Sequence, residues 1–126
     1  MGTKYLIDSN AISDFLTGQL PENGVEFMAN VVDDIPNISV INRIEVLSHL
    51  IPHIQLVRDF VSGSNILDLD ESIILKTIAL RRSKRIKTPD AIIAATALVF
   101  DMILITHNIS DFEGIPNLKI LDPHNL

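Results

Sequence analysis

The chain contains no cysteine. That absence removes disulfides, cysteine zinc sites and cysteine nucleophiles together. No apolar run approaches the roughly 18 residues that a membrane helix requires, and Met1-Gly2-Thr3-Lys4 leads into a strand pattern instead of a signal-peptide core. We therefore expect a soluble, cytoplasmic protein with no membrane partner. Neither common glycine-rich phosphate loop is present, which argues against a nucleotide-binding enzyme. The serines lie outside any G-x-S-x-G elbow, so a hydrolase-type nucleophile is unsupported. His49 and His53 are four positions apart, but Pro52 interrupts any helix between them and H-E-x-x-H is missing, so a zinc pair is not expected.

What remains is a chain of 126 residues, a natural size for one domain over 1–126, with 47% hydrophobic residues. The mean hydropathy of +0.31 is enough to build a substantial core. The net charge of −6 taken alone argues against nucleic acid as a partner. Its distribution points elsewhere: five of the ten basic residues, Arg81, Arg82, Lys84, Arg85 and Lys87, are gathered into a single short run.

Strand and helix patterns alternate along the chain. Residues 4–7 read as a strand, followed by a helix over 11–16 that Ser9 or Asn10 can cap and Gly18 can stop. Residues 21–24 read as a turn, and Val25, Met28, Val31 and Val32 recur at helical spacing until Asp33, Asp34 and Pro36 end the segment. A strand is expected over 38–41, then a helix over 42–50 with Ile44, Leu47 and Ile51 on one side. Pro52 breaks that helix, and a further one runs over 53–61 to Gly63. A strand over 66–69 precedes a helix that Asp70 caps, that carries Ile74, Leu75, Ile78 and Ala79, and that ends in the basic run. Thr88-Pro89-Asp90 is a helix start, with Thr88 as N-cap, Pro89 at the first helical position and an acid in the first turn. The helix it opens, 91–100, is apolar almost all round and should be buried on more than one side, against the sheet and a second subunit. Strands over 102–105 and 118–121 complete the pattern. The expected fold class is α/β: a Rossmann-like, three-layer domain with a mostly parallel five-stranded sheet and helices on both faces.

Four acids fall at or just beyond the C-terminal ends of those strands, where ligands bind in open α/β sheets. Asp8 ends the first strand, Glu45 follows the second, Asp90 opens the apolar helix and Asp111 lies past the fourth. Carboxylates brought together repel one another unless a divalent cation neutralises them. Hard oxygen ligands suit Mg²⁺ or Mn²⁺ better than zinc. Such ions activate water and stabilise the charge on a phosphodiester under attack.

Four stretches carry a resemblance. Leu6-Ile7-Asp8-Ser9-Asn10, Ser39-Val40-Ile41 with Glu45, Thr88-Pro89-Asp90-Ala91-Ile92-Ile93-Ala94-Ala95-Thr96-Ala97, and Leu104-Ile105-Thr106-His107-Asn108-Ile109-Ser110-Asp111-Phe112 resemble the signature blocks of PIN-domain nucleases, specifically the VapC-like toxins of type II toxin–antitoxin pairs. The resemblance implies a five-stranded parallel sheet, a homodimer and Mg²⁺- or Mn²⁺-dependent cleavage of RNA that leaves 5′-phosphate and 3′-hydroxyl ends. It implies Asp8, Glu45, Asp90 and Asp111 as catalytic metal ligands, and Ser9, Asn10, Thr106 and Asn108 as residues that orient ligands or the phosphate. It also implies a small antitoxin that blocks the site, often by inserting a basic side chain among the acids.

Each residue has a plainer reading. Asp8 can be a helix cap, Asp90 can answer a helix dipole, Glu45 can sit on a solvated face, and Asp111 can cap a turn. It is their joint pattern that points to a site. The basic run 81–87 can meet the last carbonyls of its helix; lying just before Asp90, it can also guide RNA phosphates toward the metal. His107 adjoins the acids as a further RNA contact. The alternative to a nuclease is a catalytically inactive PIN-fold module that binds RNA or protein; a receiver-like domain is disfavoured because Thr106 is followed by His107 and not by lysine.

Overall fold

The computed structural model describes residues 2–49 and 52–126. At its centre is β1 (Tyr5–Ile7), flanked by β2 (Asn37–Ser39) and β4 (Ile103–Ile105), with β3 (Asn65–Leu67) and β5 (Ile120–Leu121) at the edges, so the order is β3-β2-β1-β4-β5. Every recorded pairing is parallel, with Leu6 opposite Leu104 and Ile7 opposite Ile105.

Side chains alternate across a strand, and here the alternation divides the core in two. Leu6 and Leu104 face one layer, α5 (Glu71–Ser83) and α6 (Thr88–Val99). Ile7, Ile38 and Ile105 face the other, formed by α1 (Ser9–Leu16), α2 (Glu22–Asp33), α3 (Val40–Leu47) and α4 (Ile54–Ser62). Both faces of the sheet are thereby covered, which is why its strands read as continuous apolar runs. The α/β class, the five parallel strands and the helices on both faces are as expected.

Several local expectations are corrected. The cap of α1 is Asp8 itself, whose side chain accepts from the Ser9 amide, so Ser9 and Asn10 are already helical. The expected turn at 21–24 is the first turn of α2, and Gly24 lies inside it. A Cβ there would stand 2.1 Å from the carbonyl oxygen of Pro123, so the glycine serves close approach of the C-terminal segment and not a turn. The second strand ends at Ser39, because Ser39 and Asn42 form a capping box that draws the β-branched Val40 and Ile41 into α3. Ile44 points to solvent at 57% exposure, and α3 buries Asn42 and Val46 instead; Leu50 and Ile51 lie outside the described residues.

In α5, Asp70 is the cap as expected, but Ile73, Thr77 and Leu80 form the buried stripe while Leu75 and Ile78 are exposed. Thr88 is not the cap of α6: the helix starts at Thr88 itself, after Lys87, with no side-chain cap. The residues from Ala91 to Ala97 are buried within this one chain, so this stretch needs no second subunit to cover it. Among the described residues no helix is long and apolar enough to cross a membrane.

Candidate active site

The site begins with Asp8, carried to the end of the central strand by the apolar residues before it and only 6% exposed. Its Oδ1 accepts from the Ser9 amide at 2.9 Å and from Asn42 Nδ2 at 3.1 Å. Its Oδ2 accepts from Asn10 Nδ2 at 3.0 Å and from the Thr106 hydroxyl at 2.8 Å. A carboxylate with four donors is fixed in place, with every hydrogen bond lost on burial replaced by one from the protein.

Each of those donors is itself held. Thr106, fully buried at the end of β4, accepts from Asn10 Nδ2 and from the Asn108 amide while donating to Asp8. Asn10 Oδ1 accepts from the His107 amide at 2.8 Å. Asn42, fully buried, accepts from the Ser39 amide and donates to both Asp8 and the Ser9 hydroxyl. The Ser9 hydroxyl passes the chain on, donating to Glu45 Oε1 at 2.7 Å. No buried side-chain nitrogen or oxygen among the described residues lacks a partner.

Asp8, Glu45, Asp90 and Asp111 all line one pocket of about 270 Å³. Ser9, Asn10 and Asn108 share it; Thr106 does not, because it stands behind Asp8. Glu45 enters from α3, Asp90 from the first turn of α6, and Asp111 from the short 3₁₀ turn Ile109–Phe112. The Asp90 carboxyl is pushed above the usual carboxylate range, first by burial, then by the charges of Asp111, Asp8 and Glu45, against a smaller opposing pull from Lys87. No lysine or arginine is among the lining residues.

The four acids offer oxygen donors only and are strongly anionic, which fits a hard divalent cation. As the side chains lie, no three carboxylates or imidazoles among the described residues converge closely enough to enclose an ion. The acids occupy the walls of an open pocket, and Mg²⁺ characteristically keeps several of its own waters and takes few carboxylates directly.

The basic run divides. Arg81 Nε donates to the Ile86 carbonyl, and Lys84 Nζ donates to the carbonyl of Glu113, so both fasten the segment between α5 and α6. Arg81, Arg82, Lys84 and Arg85 surround a separate concavity. Lys87 alone of the five acts on Asp90. Three participants escaped the sequence reading. Ser13 and His49 line the acidic pocket, and Asn42 supports it from beneath. Asn42 had a legible signal, three positions after the capping Ser39, but a buried amide aimed at Asp8 cannot be read from spacing.

The chain matches the family model described as PIN domain over residues 5–117. A comparison with curated protein sequences gave no match. Among solved structures, a toxin–antitoxin complex from Klebsiella pneumoniae is similar at 29% identity and a TM-score of 0.76, covering 98% of this chain and 100% of that one. DNA-bound VapBC from Salmonella typhimurium is 24% identical with a TM-score of 0.78, covering 97% of this chain and 99% of that one. FitAcB from Neisseria gonorrhoeae gives the same 24% identity and TM-score of 0.78, with coverage of 97% and 99%. These similarities show a shared fold over almost the whole of each chain, and with the family model spanning nearly all of its length, this chain belongs to the PIN domain family.

Proposed function

We propose that the protein is a Mg²⁺- or Mn²⁺-dependent endoribonuclease and the toxin of a toxin–antitoxin pair, with Asp8, Glu45, Asp90 and Asp111 as its catalytic acids and metal ligands. One observation carries this reading: four carboxylates face a single pocket that no lysine or arginine lines, and three of them push the fourth, Asp90, toward its protonated form. A divalent cation relieves that repulsion. When bound, it supplies activation of water and stabilisation of charge at the scissile phosphate.

The chain's own residues supply preorganisation. Asp8 is fixed by four donors before any ligand arrives, so it needs no rearrangement. Ser9 sets Glu45, and Asn108 lines the pocket together with Asp111. Lys87 offers a cation for a phosphate arriving at Asp90, and the exposed Arg82 and Arg85 extend that field along the strand.

An uncompensated acidic pocket also suits a basic side chain from a small antitoxin, in keeping with the toxin–antitoxin complexes to which the chain is similar. A homodimer is the expected assembly, and Leu75 and Ile78, exposed at 58% and 42% on α5, are among the apolar side chains available to it.

The test is cleavage of a mixed panel of tRNA, rRNA fragments and mRNA by purified protein with Mg²⁺, Mn²⁺ or EDTA, with Asp8→Asn alongside. Metal-dependent cutting that the variant lacks supports the reading. The alternative is a PIN-fold RNA- or protein-binding module without catalysis. Intact RNA under every condition, with no thermal shift from Mn²⁺, would establish it.

A further inference from the structure

Beyond the acidic pocket, on the β5 side, a second group of polar side chains converges. Asp122, directly after β5, has a side chain only 5% exposed. It accepts from the His124 amide at 2.9 Å and from Asn125 Nδ2 at 2.7 Å, and both its oxygens lie 3.1 Å from Nδ1 of His107. Burial alone would raise its carboxyl, but those donors outweigh it and hold the group below the usual range. The ring of His124 packs at 4.1 Å from that of His107, tilted by 42°, and its Nε2 is 2.8 Å from Asp14 Oδ2 on α1.

The consequence for His107 is a fixed orientation. An ionised carboxylate only accepts, so Nδ1 is the ring nitrogen that donates to Asp122, and Nε2 is the one left for a ligand, an acceptor in the tautomer that this pairing selects. Nε2 has no partner among the described residues, and the His107 side chain is 48% exposed. Its backbone amide meanwhile holds Asn10, which lines the acidic pocket and holds Asp8, so His107 adjoins that pocket through its backbone. A buried acid thus aims an open acceptor at the surface beside the proposed site.

We propose that His107 is a substrate-contacting residue whose Nε2 accepts a hydrogen bond from a ribose 2′-hydroxyl of the bound strand, and that Asp122 is its positioning residue. The reasoning is chemical. In the tautomer that Asp122 selects, Nε2 offers nothing to a phosphodiester, which has no proton to give, whereas the 2′-hydroxyl is a donor on every nucleotide of RNA and on none of DNA. The contact is therefore a device for preferring RNA, and it rests on the ribonuclease reading above.

The experiment uses the full chain carrying Asp8→Asn, so that the strand is not consumed. Binding of a fluorescein-labelled single-stranded RNA and of its all-2′-deoxy counterpart is measured by anisotropy, with and without His107→Ala. The background protein should bind RNA more tightly than DNA by on the order of fivefold, the worth of one neutral hydrogen bond. His107→Ala should erase that ratio, and Asp122→Asn should reduce it. An RNA-over-DNA ratio that both substitutions leave unaltered would overturn the proposal and reduce the group to a latch for the C-terminal segment. The same holds if no ratio exists to begin with. Wild-type cleavage with Mn²⁺, run in parallel, separates the two failures: cutting with an unaltered ratio refutes only the role of His107, whereas neither cutting nor binding refutes both readings.

Discussion

The hydroxyl of Thr106, at the end of β4, donates a 2.8 Å hydrogen bond to Oδ2 of Asp8, at the end of β1, across 98 positions of sequence. Two adjacent strands thus fix the central acid from beneath, and this bond ties the integrity of the sheet to the geometry of the proposed site. Thr106→Val keeps the shape and removes the donor, leaving a buried carboxylate with three partners. RNA cleavage should fall about 10- to 100-fold, as for other residues that orient metal ligands. Stability should drop by about 1–2 kcal/mol in denaturant unfolding. Undiminished cleavage would show that Asp8 needs no support from β4.

Asp90 leads to a prediction of opposite sign for stability and function. Its carboxyl is raised in the folded protein, by burial and by Asp111, Asp8 and Glu45. Between the ordinary carboxylate value and the raised one the folded state binds more protons than the unfolded state, so this group's contribution falls as pH rises through that window and stays reduced at neutral pH. Asp90→Asn should therefore raise the Tm in EDTA at pH 7 by about 2–4 °C, the scale of one relieved surface repulsion in a domain of this size. It should also abolish the stabilisation that Mn²⁺ gives the wild type. A lower Tm in EDTA would contradict the repulsion.

Asp122 behaves in the reverse way. Held low by the His124 amide, Asn125 and His107 against the cost of burial, it contributes stability that is complete above the ordinary carboxylate value and is lost as pH falls through the folded one. The Tm gap between wild type and Asp122→Asn should be widest near neutral pH and should close in acid. A gap independent of pH would assign the effect to packing.

The basic run should prove unequal. Arg81 and Lys84 are engaged with carbonyls, whereas Lys87 acts on Asp90. Lys87→Ala should flatten the dependence of RNA affinity on salt by about 0.7 in log–log slope, the share of one phosphate contact on a single strand. Should the slope fall only for Arg82 and Arg85 variants, the strand runs over the far concavity instead.

Gly24 is a steric test of the C-terminal segment. With a Cβ placed 2.1 Å from the Pro123 carbonyl, Gly24→Ala should cost about 1–3 kcal/mol in denaturant unfolding. A neutral substitution would mean that this segment yields without penalty.

Much of the architecture was legible because burial on both faces of a parallel sheet writes itself as apolar runs; Asp8 marks where one of them stops, Asp90 opens the apolar helix, and Asp111 lies past the run of β4. What was hidden depended on partners distant in sequence. Gly24 looks like a turn until Pro123 is known to press on it. Ile44 and Leu75 read as core at helical spacing, yet Val46, Ile73 and Thr77 take the inner positions, because several apolar stripes are available and only packing chooses among them. Asp122 and His124 carry no motif at all; their meaning arises from two loops and a helix meeting beyond β5.

The strand order β3-β2-β1-β4-β5 has a kinetic side. The central strand is made early in the chain, but one of its neighbours lies nearly a hundred positions later, so closing β1 on β4 requires a long loop to be ordered before any contact rewards it. Asp8 meets neither Thr106 nor Asp111 until that closure is complete. A half-folded chain, or one whose later strands have come away, therefore holds its acids scattered, and the proposed activity would be a late reporter of completed folding.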